Sequence, residues 1–533
     1  MMKTIHENQV LEMTVWAESP TAGDAQCGEL FGEFTTPSGA VLRVPSFWSG
    51  QNGWKIRYSS PIIGEHPYRI IDGNGDPAKH VQEGVVQVIA YEGDNPLYRH
   101  GAISRQGSNL FLTHQDGTPF FWLADTWWMA LSERLGWPDD FMSLVADRVE
   151  KGFSVVQLVA GLYPDMLPFD ERGKNEGGFP WDETFQTINP AYFDHADQRI
   201  QALVDQGIIP CVVGSWGFFM KFAGKDVLIR HWRNLIARWA AYPIVWCIAG
   251  EANMAFYDDT ISPEEHLRQS RKDWNDVAVF IRASDPFGRL VTIHPTANGH
   301  EQIEDETLLD LDMLQTGHGG PTAIVPTLRQ LRRAIARKKH PVINAEVCYE
   351  GICGSSYADV QRYVFLSNIF LGACGHTYGA NGIWQVNAPG RPYGVSPHGA
   401  QWGETSWQDA SQLPGSGQIG RCKRYLQRFD WWRFEQHPEW VERPCSGEAM
   451  DGHFAVGIPG EVRLFFKPHF GGDFWGEINL YAIESDVTYR SERMNPITGD
   501  ITDLGLVKPD ATGTWRTPRV DAFQDWIFAL IRV

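Results

Sequence analysis

From about Phe120 to Trp384 the chain repeats one pattern eight times, a short apolar run followed by a stretch of helical period. Such alternation specifies a parallel sheet, because a crossover helix is what carries the chain back to begin the next parallel strand. The predicted strands are Phe120 to Trp128, Phe153 to Gly161, Ile208 to Trp216, Ile244 to Asn253, Leu290 to Thr296, Met313 to His318, Pro341 to Glu350 and Cys374 to Trp384. Helices are predicted between them, among them Pro190 to Gln206, Val227 to Ala241, Glu264 to Ala283 and Thr327 to Lys339. Two of these stop before a proline, in Ala283-Ser-Asp-Pro286 and Lys339-His-Pro341, where the residue before the proline leaves helical geometry. Eight strands close naturally as a (β/α)8 TIM barrel; an open doubly wound sheet has more often about five to seven, with a glycine-rich phosphate turn that this sequence lacks.

A barrel alone takes roughly 250 residues. The chain has 533, so other domains must flank it. Before the barrel, Leu11 to Trp16, Ala40 to Val44, Trp54 to Tyr58 and Val85 to Ala90 are short alternating runs separated by Gly, Pro, Asn and Asp, the pattern of an antiparallel β-sandwich. The texture returns in Phe454 to Gly457, Val462 to Phe466 and Trp526 to Val533. The predicted organisation is an N-terminal β-sandwich over 1–105, a catalytic barrel over 106–436 and a C-terminal β-sandwich over 437–533.

Composition removes several function classes. The formal charge is -19, which argues against a nucleic-acid partner, since phosphate binding draws on clustered Lys and Arg. No apolar run is long enough to span a bilayer, so no membrane role is expected. The amino terminus has no apolar segment of the secretory kind, which makes the expected location cytoplasmic. Eight cysteines run from Cys27 to Cys445; Cys211, Cys247, Cys348 and Cys374 sit in or beside strand-like runs and read as buried free thiols. Cys348 and Cys353 do not have a zinc or redox spacing. The 22 tryptophans exceed what packing usually requires and supply candidate stacking faces.

In a TIM barrel the chemistry sits at the carboxyl ends of the strands. There the sequence places Asp125 and Trp128, Gln157 and Tyr163, Trp216, Glu251 and Asn253, His294, His318, Glu346 with Tyr349 and Glu350, and His376 with Trp384. Acids, amides, imidazoles and indoles on one rim suit a sugar. Glycosidic cleavage needs one carboxyl group to protonate the leaving oxygen and another to attack or stabilise the anomeric carbon. Glu251 on the fourth strand and Glu346 on the seventh face each other across the mouth, so Glu251 is assigned as general acid/base and Glu346 as nucleophile of a retaining enzyme. Glu350 competes with Glu346 for that role; Glu346 is preferred because it should still be on the strand, where a side chain is held more accurately. The tryptophans would stack on the ring and the remaining polar residues bind hydroxyls. Trp127 and Trp128 are adjacent, so at most one faces the mouth.

These motifs resemble the apiosidase-like glycoside hydrolases (family 140). The likeness rests on Phe121-Trp-Leu-Ala-Asp-Thr-Trp-Trp128, Trp246-Cys-Ile-Ala-Gly-Glu-Ala-Asn253, Pro341-Val-Ile-Asn-Ala-Glu-Val-Cys-Tyr-Glu-Gly351, Asn495-Pro-Ile-Thr-Gly499 and Asp525-Trp-Ile527. The resemblance implies a barrel with flanking β-sandwiches, an acid/base at Glu251 and a nucleophile at Glu346. Members commonly carry Asp at the first of these positions; the longer Glu251 suits a different leaving group or geometry. Without an export signal, a small imported oligosaccharide or glycoside is the expected substrate.

Two long segments follow strands, Leu162 to Asn189 and Gln385 to Gly417. Connections of this length are usually functional. They are expected to wall the site into a pocket and favour exo-action, although sequence does not separate that role from the contacts of a homo-oligomer. A metal-dependent hydrolase is the first rival, suggested by His294, His318 and His376; the first strand offers Asp125 but no His-x-His, so neither metal nor cofactor is expected. A carbohydrate-binding protein with a relic barrel is the second.

Overall fold

The protein is described from a computed structural model covering residues 2–16, 30–51, 53–73, 82–254, 257, 260–471, 476–520 and 522–533. Cys27 lies outside the described residues. The centre is a barrel of eight parallel strands, β1 (Trp122–Thr126), β2 (Val155–Val159), β3 (Ile209–Val213), β4 (Val245–Cys247), β5 (Val291–Thr292), β6 (Asp312–Gln315), β7 (Val342–Glu346) and β8 (Gly375–Tyr378). Their spatial order is β5-β4-β3-β2-β1-β8-β7-β6. The runs are buried on both faces, which is why Val155-Val-Gln-Leu-Val159 and Ile209-Pro-Cys-Val-Val213 are nearly continuous in apolar residues rather than alternating.

The seam between β5 and β6 is closed by side chains as well as backbone. Thr292 donates its hydroxyl to the Leu311 carbonyl at 2.8 Å, and the Val291 amide donates to Asp310 at 2.8 Å. Only two short 3-10 turns, Gly299–Glu301 and Glu306–Leu308, occupy this crossover.

The other crossovers carry α1 (Asp139–Glu150), α2 (Pro190–Asp205), α3 (Lys225–Trp239), α4 (Pro263–Ser284), α5 (Ile324–Ala336) and α6 (Ala358–Phe370), and α7 (Pro414–Leu426) follows β8. Local chemistry fixes their starts: Asn189 and Ser262 accept from backbone amides of the first turns of α2 and α4, each followed by proline at the first helical position. α5 begins three residues before the predicted Thr327, since Pro326 falls in the first turn, where its missing N–H costs nothing.

The N-terminal domain packs a five-stranded sheet on a three-stranded one. Phe34 and Tyr58 stack between them with ring centroids 3.8 Å apart. The sandwich is not wholly antiparallel, because Met2–His6 pairs parallel with Glu83–Ile89. It is joined to the barrel by a buried ionic cluster: Asp197 of α2 accepts from Arg57 at 2.5 Å, Arg238 at 2.9 Å and the Trp239 indole at 2.6 Å. Together these donors offset the cost of removing the carboxylate from water.

At the other end, a six-stranded antiparallel sheet includes Phe454–Ile458, Val462–Lys467 and Trp526–Arg532. One face, with Phe465, Phe528 and Leu530, closes a core of its own; the other, with Leu464, Phe466, Ile527 and Ala529, belongs to the core of the barrel. Phe466 lies 5.8 Å from Tyr363 and 6.1 Å from Phe370, both on α6. Burial on both faces explains the unbroken apolar run Trp526-Ile-Phe-Ala-Leu-Ile531 of the last strand.

Candidate active site

At the carboxyl ends of the strands lies a cavity of about 600 Å³, lined by Trp128, Asp165, Trp216, Glu251, Gln315, His318, Glu346, Tyr349, Trp384 and Trp402 among others. Glu346 is the last residue of β7. Glu251 is four residues beyond the end of β4, which is shorter than the predicted Ile244 to Asn253. Its backbone is in the left-handed region at φ 46, a conformation that costs a non-glycine residue free energy and is retained where surroundings enforce it. The Gly217 amide donates to Gly250 O at 2.8 Å and the Gly250 amide to Ser215 O at 3.0 Å. A Cβ at Gly250 would come within 2.3 Å of the Trp216 ring; glycine there lets the indole pack beside the acid.

The two carboxylates have opposite surroundings. Trp216 Nε1 donates to Glu251 Oε2 at 3.2 Å and the Tyr257 hydroxyl to the same oxygen at 2.6 Å. Glu346 Oε1 lies 2.9 Å from His318 Nε2, and Glu346 Oε2 lies 3.2 Å from His294 Nε2. Burial and the charge of Glu346 raise the Glu251 pKa, against the hydrogen bonds from Gln315 and Tyr257. Burial would also raise Glu346, but the two imidazoles outweigh it and hold the carboxyl well below its ordinary range. Burial works against a charged His318, yet the bond to Glu346 raises its pKa. Between the acids stands Gln315, whose Nε2 is 2.9 Å from Glu251 Oε1 and 3.1 Å from Glu346 Oε1.

Of the residues singled out in the sequence, Glu251, Glu346, Trp128, Trp216, His318, Tyr349 and Trp384 line this cavity. His294 sits beneath Glu346, fully buried. The others lie elsewhere. Asp125 is fully buried, accepting from Arg148 Nε at 2.6 Å and Trp127 Nε1 at 2.7 Å; Trp127 packs outward against α1, its ring 6.0 Å from Phe141, while Trp128 lines the cavity. Gln157 donates to Ala345 O at 3.0 Å, and the Tyr163 and Tyr192 hydroxyls are 2.7 Å apart. Asn253 donates to Gln302 O and accepts from Ser270. His376 is buried against Asn368, and burial pushes its pKa down to about 3. Glu350 turns away from the cavity toward the start of α7, accepting from the Tyr378 hydroxyl at 2.6 Å and the Gly415 amide at 3.1 Å.

Strand-end reading misses the residues supplied by the long loops. Pro164 to Leu167 and Pro397, His398 and Trp402 wall the cavity. Asp165 accepts from the Trp402 indole at 2.7 Å, linking the two walls. Gln315 was visible at the end of a strand but carried no motif. Among the described residues, no group of three His, Cys, Asp or Glu is arranged to hold a metal.

A parallel eight-stranded barrel that gathers two carboxylates, imidazoles and indoles in one cavity defines the class of TIM-barrel glycosidases. The chain belongs to the apiosidase-like family: the model of the apiosidase-like catalytic domain matches residues 106–433, and a domain of unknown function, DUF5060, matches residues 4–72. Solved structures that share its fold include the following three. One, a glycoside hydrolase, is 21% identical with a TM-score of 0.67, over 83% of this chain and 98% of that one. A glycoside hydrolase family 5 protein from Bacteroides vulgatus is 21% identical with a TM-score of 0.66, over 83% and 94%. A putative glycoside hydrolase from the same organism is 15% identical with a TM-score of 0.69, over 100% of both chains. No curated protein matches the sequence. The protein is a glycosidase, and its substrate is a carbohydrate.

Proposed function

We propose that the enzyme is a retaining, exo-acting glycosidase for a small oligosaccharide or glycoside, with Glu346 as nucleophile and Glu251 as general acid/base. The observation that carries this reading is Gln315. One amide nitrogen bonds both carboxylates, at 2.9 and 3.1 Å, so the bonded oxygens are at most about 6 Å apart. Retaining pairs stand about 5 to 5.5 Å apart, whereas inverting pairs need about 6.5 to 9.5 Å to admit a water.

The roles follow from the protonation states. Glu346, kept ionised by His318 and His294, attacks the anomeric carbon. Glu251, whose pKa is raised by burial and by the charge of Glu346, delivers a proton to the departing oxygen. Once the glycosyl-enzyme has formed, Glu251 is a carboxylate and takes a proton from the incoming water, which releases the sugar with its configuration retained. The loop walls at Pro164 to Leu167 and Pro397 to Trp402 support exo-action, since they bound the cavity where a longer chain would have to run through.

A cytoplasmic setting is part of the proposal and is supported by the cysteines: all seven described are free thiols, six of them buried. Proton NMR of the first-formed sugar tests the central claim. The same anomer as the substrate is expected; the opposite anomer overturns the mechanism.

A further inference from the structure

The cavity has two unlike halves. Along one arc, ring follows ring from Glu346: His318 lies 4.5 Å from Tyr349, Tyr349 6.3 Å from Trp384, and Trp384 6.3 Å from Trp402, whose indole holds Asp165. Indoles interleaved with a carboxylate and imidazole suit a sugar, with faces for its carbons and polar atoms for its hydroxyls. The other arc leaves from Glu251. Tyr257, bonded to that carboxylate, lies 5.3 Å from the Phe218 ring, and Phe218 lies 6.0 Å from Phe222. Met254 and Leu167 also line the cavity. Phe222 is 45% exposed and Leu167 55%. Phe218, Phe222, Met254 and Leu167, all lining the cavity, offer no hydrogen-bond donor or acceptor other than a thioether.

The leaving group departs on the side of the general acid. A second sugar there would strand its hydroxyls against apolar side chains, and each unpaired polar group is costly once water is excluded. An apolar group would cover exposed Phe222 and Leu167, and exposed apolar surface beside a cleft marks a binding site. We infer that the preferred substrates are glycosides of an apolar, aryl or arylalkyl, aglycone, bound by Phe218, Phe222, Met254 and Leu167. This rests on the assignment of Glu251 as the acid.

The test uses the full chain and the sugar found by a screen of 4-nitrophenyl glycosides, presented as its benzyl glycoside, its methyl glycoside and a disaccharide with glucose as leaving group. Benzyl and methyl alcohols are leaving groups of similar basicity, so the ratio of their kcat/KM values reports contact with the aglycone. The benzyl glycoside is expected to exceed the methyl by about tenfold or more, the scale of small apolar contacts in a pocket, and to exceed the disaccharide. Phe222→Ser, on the short helix Phe219–Ala223, and Leu167→Ser, on the loop after β2, should each reduce the benzyl-to-methyl ratio severalfold. A disaccharide cleaved as well as the benzyl glycoside, or a ratio unmoved by both substitutions, overturns this inference alone. Full activity retained in Glu251→Gln on every alkyl glycoside overturns the acid assignment and the inference with it.

Discussion

His318 Nε2 stands 2.9 Å from Glu346 Oε1, and each group favours the charged form of the other. The carboxyl is held below its ordinary range while the imidazole is raised above its own. In the proposed mechanism kcat/KM needs an ionised Glu346, so its acid limb should fall below pH 4.5, the ordinary value of the group. Replacing His318 with Asn removes a cation that favours ionisation, so that limb should move up by about one unit. A limb that stays in place would show that His318 does not govern this carboxylate.

In the proposed mechanism the alkaline limb belongs to Glu251, which must carry its proton to act as acid. Its pKa is raised, so activity should persist above the usual carboxylate range and fall as pH passes the raised value. The Tyr257 hydroxyl bonds the ionised form, so Tyr257→Phe should shift the alkaline limb to still higher pH. A downward shift in the kcat/KM profile contradicts this.

Glu251→Gln and Glu346→Gln should differ in how they depend on the leaving group. Loss of the general acid should lower kcat/KM of alkyl glycosides by about 10² to 10⁴ and kcat/KM of dinitrophenyl glycosides far less, since a dinitrophenolate departs without protonation and kcat/KM does not include the later step in which Glu251 serves as base. Loss of the nucleophile should slow both alike. Steady-state rates with the two substrate classes decide it; equal effects in both variants would remove the division of roles.

Asp125 is expected to matter for stability rather than for substrate. It is fully buried against Arg148, and breaking a buried pair costs about 3 to 5 kcal/mol. Asp125→Asn should lower the melting temperature and leave KM of the folded fraction unchanged. A raised KM with normal melting would place it in the substrate site.

Glu350→Gln should retain kcat/KM while reducing thermal stability, because its carboxylate accepts from Tyr378 and the first turn of α7. Loss of turnover on the scale of Glu346→Gln would exchange the roles of the two acids.

Much of the barrel was legible because burial leaves a one-dimensional trace. Strands covered on both faces read as apolar runs, and helices with one covered face read with helical period. All eight predicted runs coincide with a strand of the barrel, β6 starting one residue earlier than predicted, at Asp312. The β4 run deceived in its length: the regular strand stops at Cys247, and beyond it Gly250 still bridges Trp216, glycine leaving room for the indole. The site was half legible. Glu251 and Glu346 stood out as acids at strand ends, but Asp125, Asn253, Glu350 and His376 occupy the same kind of position and point into the interior. Position along a strand says that a polar residue is near the rim, and not which way its side chain turns.

The sequence alone determined the order of strands and helices, the flanking β-rich segments and the two glutamates that meet in the cavity, because periodicity and residue type are local properties. Only the tertiary structure decided that Gln315 spans both carboxylates, that two imidazoles converge on Glu346, that Glu350 serves a helix, and that the loops at Asp165 and Trp402 meet across the mouth. Those relations join residues tens to hundreds of positions apart, and their strength depends on distance and burial, which closure of the barrel sets.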